Sequence, residues 1–594
     1  MKIGLEIHQQ LATKKLFCGC PSALRDDPPP GKVVRKLRAV SGELGVVDEA
    51  AMHETGRERT FVYEFYPDTT CLVELDDEPP HELNPEALGV ALQLAKLLHM
   101  RVVDRIQIMR KIVIDGSNPS GFQRTALVAR NGILKTPDAS IRIATLCIEE
   151  ESGRIIEQRQ DSVSYRLDRL GIPLIEIATE PDITSPEQCK SVAHQLGMLL
   201  RSTGRVRRGI GTIRQDVNIS IEGGNRIEIK GAQDLRLLPT LVDYEVQRQQ
   251  NMIPLRKCLA DVSFGPAEEV TSSMMHTGSK MVQKVLQANG SVFGMRCGKA
   301  KGIFGQLIQP GRRLGTEFSD VAKVKTGIGG LMHADELPGY GITLEEVDAV
   351  RASLGCHDDA GFIIVLGESW RALRALQAVR DHCALLKKGT PQEVRKANPD
   401  GTSSYLRPIP GAARMYPETD TKPVVPHPEL VTLPLTYEQR FAHYEKLGLS
   451  HEMTKLVLAD DLPLEELQAA YRNIPLNALA DFFLNSGKEI KRRFNIEVDP
   501  LGQGQQLVAL WDQGAITRDA VFELLVQIGQ GKHPDPMGYR TLSPEELEVG
   551  LKEIINQHAG MAFNALVGKA METLRGRAEG KDIVETLRRL LRTA

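Results

Sequence analysis

The sequence has no long apolar run. The most apolar helical stretch, residues 87–100, is broken by Gln93 and Lys96 and falls short of the ~20 residues a bilayer span needs. Nine cysteines, an odd number spread over 594 residues, form no disulfide framework, so a reducing compartment is expected. The beginning, MKIGLEIHQQ, puts Glu6 and His8 where a secretory signal would carry its apolar region, and the expected location is the cytoplasm. Neither sign of charge dominates: 74 Lys+Arg against 77 Asp+Glu leave a formal net of −3. That excludes a uniformly basic nucleic-acid coat but not a local basic patch. There is no fixed-period repeat and no low-complexity segment. GxxxxGK[ST] is absent and no GxGxxG follows a credible strand, so any bound nucleotide is expected on a sheet rather than a P-loop. No Cys–His or Ser–His–Asp constellation for amide hydrolysis can be found.

What is present is ordinary globular composition, 41% hydrophobic and 25% charged. At ~150 residues per domain the length predicts about four domains. The pattern predicts an α+β multidomain chain. Residues 1–258 form the first part of a mixed-sheet cradle, with strands near 2–9, 172–179, 212–221 and 226–230. Asn84-Pro85 and Ser185-Pro186 open two helices, Gly204 stops the second, and residues 222–225 make a hairpin turn. A glycine-rich inserted α+β domain is expected over 259–402, with a capping box at Thr343–Glu346. The proline-rich segment 403–432 reads as the cradle's return or a linker. A helical connector (433–480) and a helical tail (481–594) follow, with a second capping box at Ser543–Glu546.

The chemistry-bearing residues lie on charged strand faces. In KIGLEIHQQL, Ile3, Leu5 and Ile7 share one face while Glu6 and His8 share the other, where they could ligate a divalent cation or form a surface pair. Glu176 sits inside the apolar strand IPLIEIATE, where an unpaired carboxylate would be costly. Arg214, Asp216 and Asn218 share the polar face of TIRQDVNIS; Arg226, Glu228 and Lys230 share that of RIEIK. LCIEEES adds Glu149, Glu150 and Glu151. One charged strand face is common, since antiparallel sheets often wet one side. Four within 230 residues point to a carboxylate cleft for Mg²⁺, with arginines and a lysine for phosphates. Cys18 and Cys20 form a CxC pair, with Cys71 downstream; no second close cysteine pair exists, so a zinc site would need His or Asp to complete it, and free thiols are the other reading. Residues 201–208 carry four arginines and no acid, either a solvated helix end or a phosphate patch. Residues 565–594 hold seven Lys/Arg against four Asp/Glu, a local net of +3, around Lys569, Arg575, Arg577 and Lys581.

In their order, IGLEIHQQL with FCGC, RLDRLGIPLIEIATEPDI, IRQDVNIS and RIEIKGAQDL closely resemble the B/E subunits of tRNA-dependent amidotransferases, the GatB/GatE family. The RLDRLG and EIKGAQDL variants and the insertion are similar to its archaeal E type. The insertion resembles the extra domain of bacterial-type aspartyl-tRNA synthetases, and the tail resembles the YqeY-type helical domain. The resemblance implies an ATP- and Mg²⁺-dependent enzyme that phosphorylates the side-chain carboxylate of glutamate on Glu-tRNA(Gln). Ammonia from an asparaginase-like D subunit then displaces the phosphate, within a heterodimer or a dimer of heterodimers. It assigns Glu6, His8, Glu149, Glu150, Glu176 and Asp216 to the metal, with Glu149 and Glu150 undecided between them. Arg214, Asn218 and Lys230 go to the nucleotide, and Glu6, His8 and Lys230 to catalysis. Arg166-Leu167-Asp168-Arg169 replaces the family's Asp-Tyr-Asn-Arg, so no ligand role is assigned there. Lys569, Arg575, Arg577 and Lys581 are expected to contact tRNA. The alternative is a non-catalytic tRNA-docking scaffold for a partner enzyme. A synthetase relative is disfavoured, because no aminoacylation segment accompanies the insertion.

Overall fold

The computed structural model describes residues 1–38, 59–136, 139–159, 161–409 and 415–593. These fall into two units, Met1–Pro434 and Leu435–Ala594. The first is built on one large sheet. Its main path uses β1 (Lys2–Gln10), β2 (Ile108–Ile112), β3 (Phe122–Lys135), β4 (Ser140–Glu150), β5 (Pro173–Thr179), β6 (Ile213–Ser220), β7 (Ile227–Lys230), β8 (Glu393–Ala397), β9 (Ser403–Pro408) and β10 (Met415–Pro417). Their spatial order is β9-β8-β7-β6-β1-β5-β4-β3-β2-β10, and Arg101–Val102 also pairs with β3. Only β7 and β8 run parallel, since the insertion intervenes between them.

Six residues separate the end of β9 from the start of β10, which lie at opposite ends of this path. The seven Cα–Cα steps from one to the other reach at most ~25 Å. Ten strands ~4.8 Å apart would span roughly 43 Å if flat. The sheet therefore curls, and the segment after 403 ties its two edges together.

One face of the sheet is covered. Helices α1 (Pro85–Leu97) and α2 (Pro186–Ser202) pack on it, so that Ile3, Leu5 and Ile7 share a core with Leu94, Val192 and Leu196. Both helices begin as the sequence indicates. The Asn84 side chain accepts bonds from the Glu86 and Ala87 amides, Ser185 accepts from Gln188, and Pro85 and Pro186 occupy the first turn. Gly204, at φ +65°, closes α2. Helix α3 (Leu238–Ala260) extends the core with Leu238, Leu241 and Val242.

The inserted region forms its own four-stranded antiparallel sheet, in the order Ser263–Glu269, Ser291–Gly298, Gly361–Gly367, Leu331–His333. Helices α4 (Leu314–Thr326) and α5 (Ser369–Lys388) pack with it around Phe304, Phe318, Ile363 and Val379. The Thr343–Glu346 capping box is present. One expectation is corrected: the return to the cradle begins with β8 at Glu393, not at 403, because β8 pairs with β7 in the large sheet. A five-residue strand bounded by polar residues gives no local signal of which sheet it joins.

The insertion meets the cradle through buried charge. Arg395 on β8 donates to Glu317 Oε1 on α4 at 2.6 Å and to Glu393 Oε1 at 2.5 Å. Arg248 on α3 donates to Glu245 Oε2 at 2.9 Å. All five side chains are essentially inaccessible. Three carboxylates against two guanidiniums leave one excess negative charge. Burial opposes charge on Glu317, but Arg395 and Arg248 outweigh it and hold that carboxyl well below its ordinary range. Burial instead pushes Glu393 up to about 7.

The second unit is wholly helical, with the Ser543–Glu546 box in place. It has two cores, one running from Tyr444 to Val526 and one from Leu547 to Leu587. The expected connector–tail border at 480/481 falls inside the helix Leu476–Phe494, whose apolar side belongs to the first core. Helical periodicity reads alike in both cores, so sequence pattern does not separate them. Among the described residues, no helix is long and apolar enough to cross a membrane.

A pH test follows from Glu393. Its folded value lies above the ordinary carboxyl value, so the stabilisation it contributes is complete below ~4.5 and is lost as pH rises through about 7. The melting temperature of the full chain is expected to fall between about pH 4.5 and 7. Glu393→Gln keeps an acceptor for Arg395 and cannot ionise, and it is expected to flatten that fall by a few degrees. Parallel profiles would show that Glu393 does not hold the proton.

Candidate active site

The uncovered face of the large sheet is where strand alternation sends the polar residues. Register aligns them across neighbouring strands: Glu6 lies opposite Asp216, His8 opposite both Glu176 and Arg214, Gly4 opposite Asn218, and Asn218 opposite Glu228. Glu149 reaches the same face from β4, with Gln123 and Lys111 beyond it on β3 and β2. The polar row thus crosses seven strands, from Lys230 on β7 to Lys111 on β2.

At its centre, His8 Nε2 lies 3.3 Å from Glu176 Oε2 and 3.4 Å from Glu6 Oε1. Two donor triads share this imidazole: Glu6, His8 and Asp216, and His8, Glu149 and Glu176, with one donor atom per residue all within 4.8 Å in each. Lys230 donates to Asp216 Oδ2 at 2.6 Å and lies 2.7 Å from Glu228 Oε1. Lys111 donates to Glu149 Oε1 at 2.7 Å and lies 3.9 Å from Glu176 Oε2. Gln123 donates to Glu149 Oε2 at 3.1 Å.

Crowded carboxylates on a half-buried face raise one another. Burial, then Glu176, pushes Glu6 up to about 7, and the same two causes raise Glu149. Burial alone would lower His8, but Glu176 lifts it to about 9. Glu176 in turn is held near 2 against burial by His8 and Lys111. Burial would also lower Lys230, but Asp216 and Glu228 raise it. A hard divalent cation suits such a set, since carboxylate oxygens and an imidazole converge while neighbouring like charges disfavour the empty cleft.

The structure separates the sequence candidates. Glu6, His8, Glu149, Glu176 and Asp216 come together. Glu150 does not: it lies on the opposite face, where Oε2 accepts from the Arg124 amide at 3.0 Å and Arg124 Nε bonds Glu418 Oε2 at 2.9 Å. Consecutive strand residues face opposite ways, so only one of the pair can line the cleft. Arg214 is on the cleft face but is held by Glu151 Oε1 at 3.0 Å. Lys111 was missed. Its only sequence signal is a lysine on a short apolar strand, the same signal that marks Glu176. In the tail, Lys569 pairs with Glu572 at 2.9 Å, Lys581 with Glu585 at 3.9 Å, and Arg575 with Glu523, while Arg577 is half-buried and its main-chain carbonyl accepts from Leu542.

A second donor set stands apart from the cleft. Cys18, Cys20, Cys71 and Glu74 bring one donor atom each within 4.8 Å. Cys18 Sγ lies 2.8 Å from Glu74 Oε1, and the bond with Cys18 pulls the Cys20 thiol down to about 7. Three thiols and a carboxylate suit tetrahedral zinc. No second cysteine pair completes the set; the turn after Cys71 brings Glu74 to the fourth position.

Comparison with known proteins shows the family. The family model described as the GatB/GatE catalytic domain matches residues 1–432. The E subunit of glutamyl-tRNA(Gln) amidotransferase from Methanocaldococcus jannaschii is 44% identical over 622 aligned residues, spanning 100% of this chain and 98% of the relative. The E subunits from Archaeoglobus fulgidus and Saccharolobus solfataricus are 43% and 41% identical over the same shares. With the family model matching residues 1–432 and similarity running its full length, the chain belongs to the GatB/GatE family, in its archaeal-type GatE branch.

Proposed function

We propose that this amidotransferase subunit activates the side-chain carboxylate of glutamate on Glu-tRNA(Gln) at the Glu6–His8 cleft and amidates it to Gln-tRNA(Gln). The observation that supports this is the pair of donor triads sharing His8, flanked by Lys111 and Lys230. A carboxylate is a poor electrophile; phosphorylation turns its oxygen into a leaving group. Such transfer needs positioned cations and exclusion of water more than covalent help. Bound there, ATP with Mg²⁺ supplies the phosphoryl group and its charge neutralisation. Glu6, His8, Glu149, Glu176 and Asp216 would hold the metal. Lys230 and Lys111, on opposite rims of the triads, would neutralise phosphate oxygens, with Arg214 and Asn218 on β6, the strand next to Lys230's. No amide-hydrolysing constellation accompanies the cleft among the described residues, so ammonia would come from an asparaginase-like D subunit. The working location would be the cytoplasm.

In the tail, Lys569, Arg575 and Lys581 make exposed pairs worth little in water, which phosphates could replace. Arg577 is tied into the fold and is the weakest tRNA candidate of the four. The alternative, a scaffold without chemistry, fits the tail but leaves the buried carboxylates unexplained.

Two sets of variants test the reading. With the ammonia donor present, Glu6→Ala or His8→Ala is expected to lower ATP-dependent activation of Glu-tRNA(Gln) at least ~100-fold while tRNA affinity stays within about twofold. Full activity in both would remove the metal assignment. Glu149→Gln is expected to cut turnover and raise the Mg²⁺ needed for half-maximal rate. Glu150→Gln should instead lower the melting temperature, because it weakens a buried pair with Arg124. A turnover loss confined to Glu150→Gln would reverse the assignment.

A further inference from the structure

Next to the cleft stands a group of arginines with no part in the metal reading. They are Arg154, Arg169 in the turn before β5, Arg207 on the loop joining α2 to β6, and Arg214 at the start of β6. Two are neutralised: Arg154 Nη2 bonds Asp168 Oδ2 at 2.8 Å, and Arg214 bonds Glu151. The other two are not. Arg169 donates to the main-chain carbonyls of Ser152 at 2.9 Å and Gly153 at 2.8 Å, and Arg207 donates to that of Ser22. Among the described residues, neither forms an ion pair with a carboxylate. Both are half-buried. Burial lowers both from the ordinary arginine range; at Arg169 attraction to Glu151 offsets part of this, and repulsion from Arg214 and Arg154 adds to it. Asp168 attracts both as well, but neither guanidinium is in ion-pair contact with it; half-buried positive charge of this kind, held in place by carbonyl bonds, is a preorganised anion site.

The loop that carries Arg207 is fixed at both stems to the strand that carries Glu6 and His8. Ala12 donates to Arg205 O at 2.7 Å, Arg207 to Gln10 O at 2.9 Å, and Gln10 to Thr212 O at 2.9 Å. The Gln9 amide reaches Arg207 O at 3.1 Å and Thr212 O at 3.2 Å. Its tip stands free of the body: Gly209 and Gly211, at φ +111° and +83°, hold out Ile210, whose relative exposure is 103%. Outward from Arg207 come the exposed Arg208, Arg205 and Arg201, Arg205 meeting Glu86 in a surface pair at 2.7 Å. A track of arginines thus runs from the protein surface to Arg214, directly opposite His8. A nucleotide would engage only the inner end of this track; a chain of phosphodiesters engages all of it.

We propose that Arg169, Arg207 and the 205–212 loop form the docking lip for the backbone phosphates at the 3′ end of the aminoacylated tRNA, holding its aminoacyl group over the Glu6–His8 cleft. This rests on the cleft being the activation site, and it adds which part of the substrate is held and by what. Arg169, Arg207 and Arg208 act as positioning residues; the chemistry stays with the cleft.

The test uses the full chain with its ammonia donor. For the Arg207→Gln/Arg208→Gln pair, KM for Glu-tRNA(Gln) is expected to rise about tenfold, with kcat and KM for ATP within about twofold. The slope of log affinity against log salt should become shallower by about 1–2, as for one or two lost phosphate contacts. Ile210→Asp alters a side chain with no packing to lose and adds negative charge at the tip, so it should also raise KM for the tRNA. Arg207→Lys should recover most of the affinity at low salt. A raised KM for ATP with tRNA unchanged would assign the arginines to the nucleotide and overturn the proposal, as would no change in either. The underlying reading is read separately: Glu6→Gln should abolish turnover with tRNA affinity and salt slope intact. Retained turnover in that variant would sink the cleft assignment while leaving the docking measurement interpretable.

Discussion

Strand β1 lies mid-sheet with β5 on one side and β6 on the other, both antiparallel to it, and this pairing sets what the rest of the first unit can do. Ile3, Leu5 and Ile7 must enter the helix-covered core, which leaves Glu6 and His8 no choice but the open face. Antiparallel register then delivers Asp216 and Glu176 beside them. A slip of one residue on either neighbour would turn those carboxylates into the apolar core, so the packing of three aliphatic side chains specifies the donor set.

Charge is balanced by different means at two places in the same sheet. In the open cleft, five carboxylates face His8, Lys111 and Lys230, and the excess negative charge is what makes a divalent cation a natural occupant. At the β8 end, arginines from α3 and β8 meet Glu245, Glu317 and Glu393 with water excluded. The first arrangement invites exchange with a ligand. The second fixes the insertion against the cradle. The arginines near Arg207 have the opposite imbalance to the cleft, and the two lie side by side because one loop joins them through β1.

Much of the site was legible in the chain. Strict alternation in IGLEIH, IPLIEI and TIRQDVNIS marks Glu6, His8, Glu176 and Asp216 as polar residues on apolar strands, and their repetition marks a shared face. The family resemblance attached a chemistry to that face, and the full-length relatives agree with the family. Other parts were not legible. Three consecutive glutamates carry no phase of their own, and the β3–β4 pair shifts register between Leu127 and Ala129, so alternation could not tell Glu149 from Glu150. Lys111 comes from the far end of the sheet, four strands from β1. Glu74 joins Cys18 and Cys20 across more than fifty residues.

By itself the sequence determined local matters: four of the strands, where two cradle helices begin, which residues share one strand's face, and that the chain beyond residue 433 is helical. These follow from side-chain periodicity and capping, which act over a few residues. Only the tertiary structure decided which faces meet. It placed Glu149 rather than Glu150 in the cleft, returned β8 to the large sheet, and set Lys111 against the triads. It also left Arg169 and Arg207 without a carboxylate partner among the described residues. Such outcomes depend on strand order and register, set by contacts between residues far apart in the chain, and no periodicity within one segment encodes them.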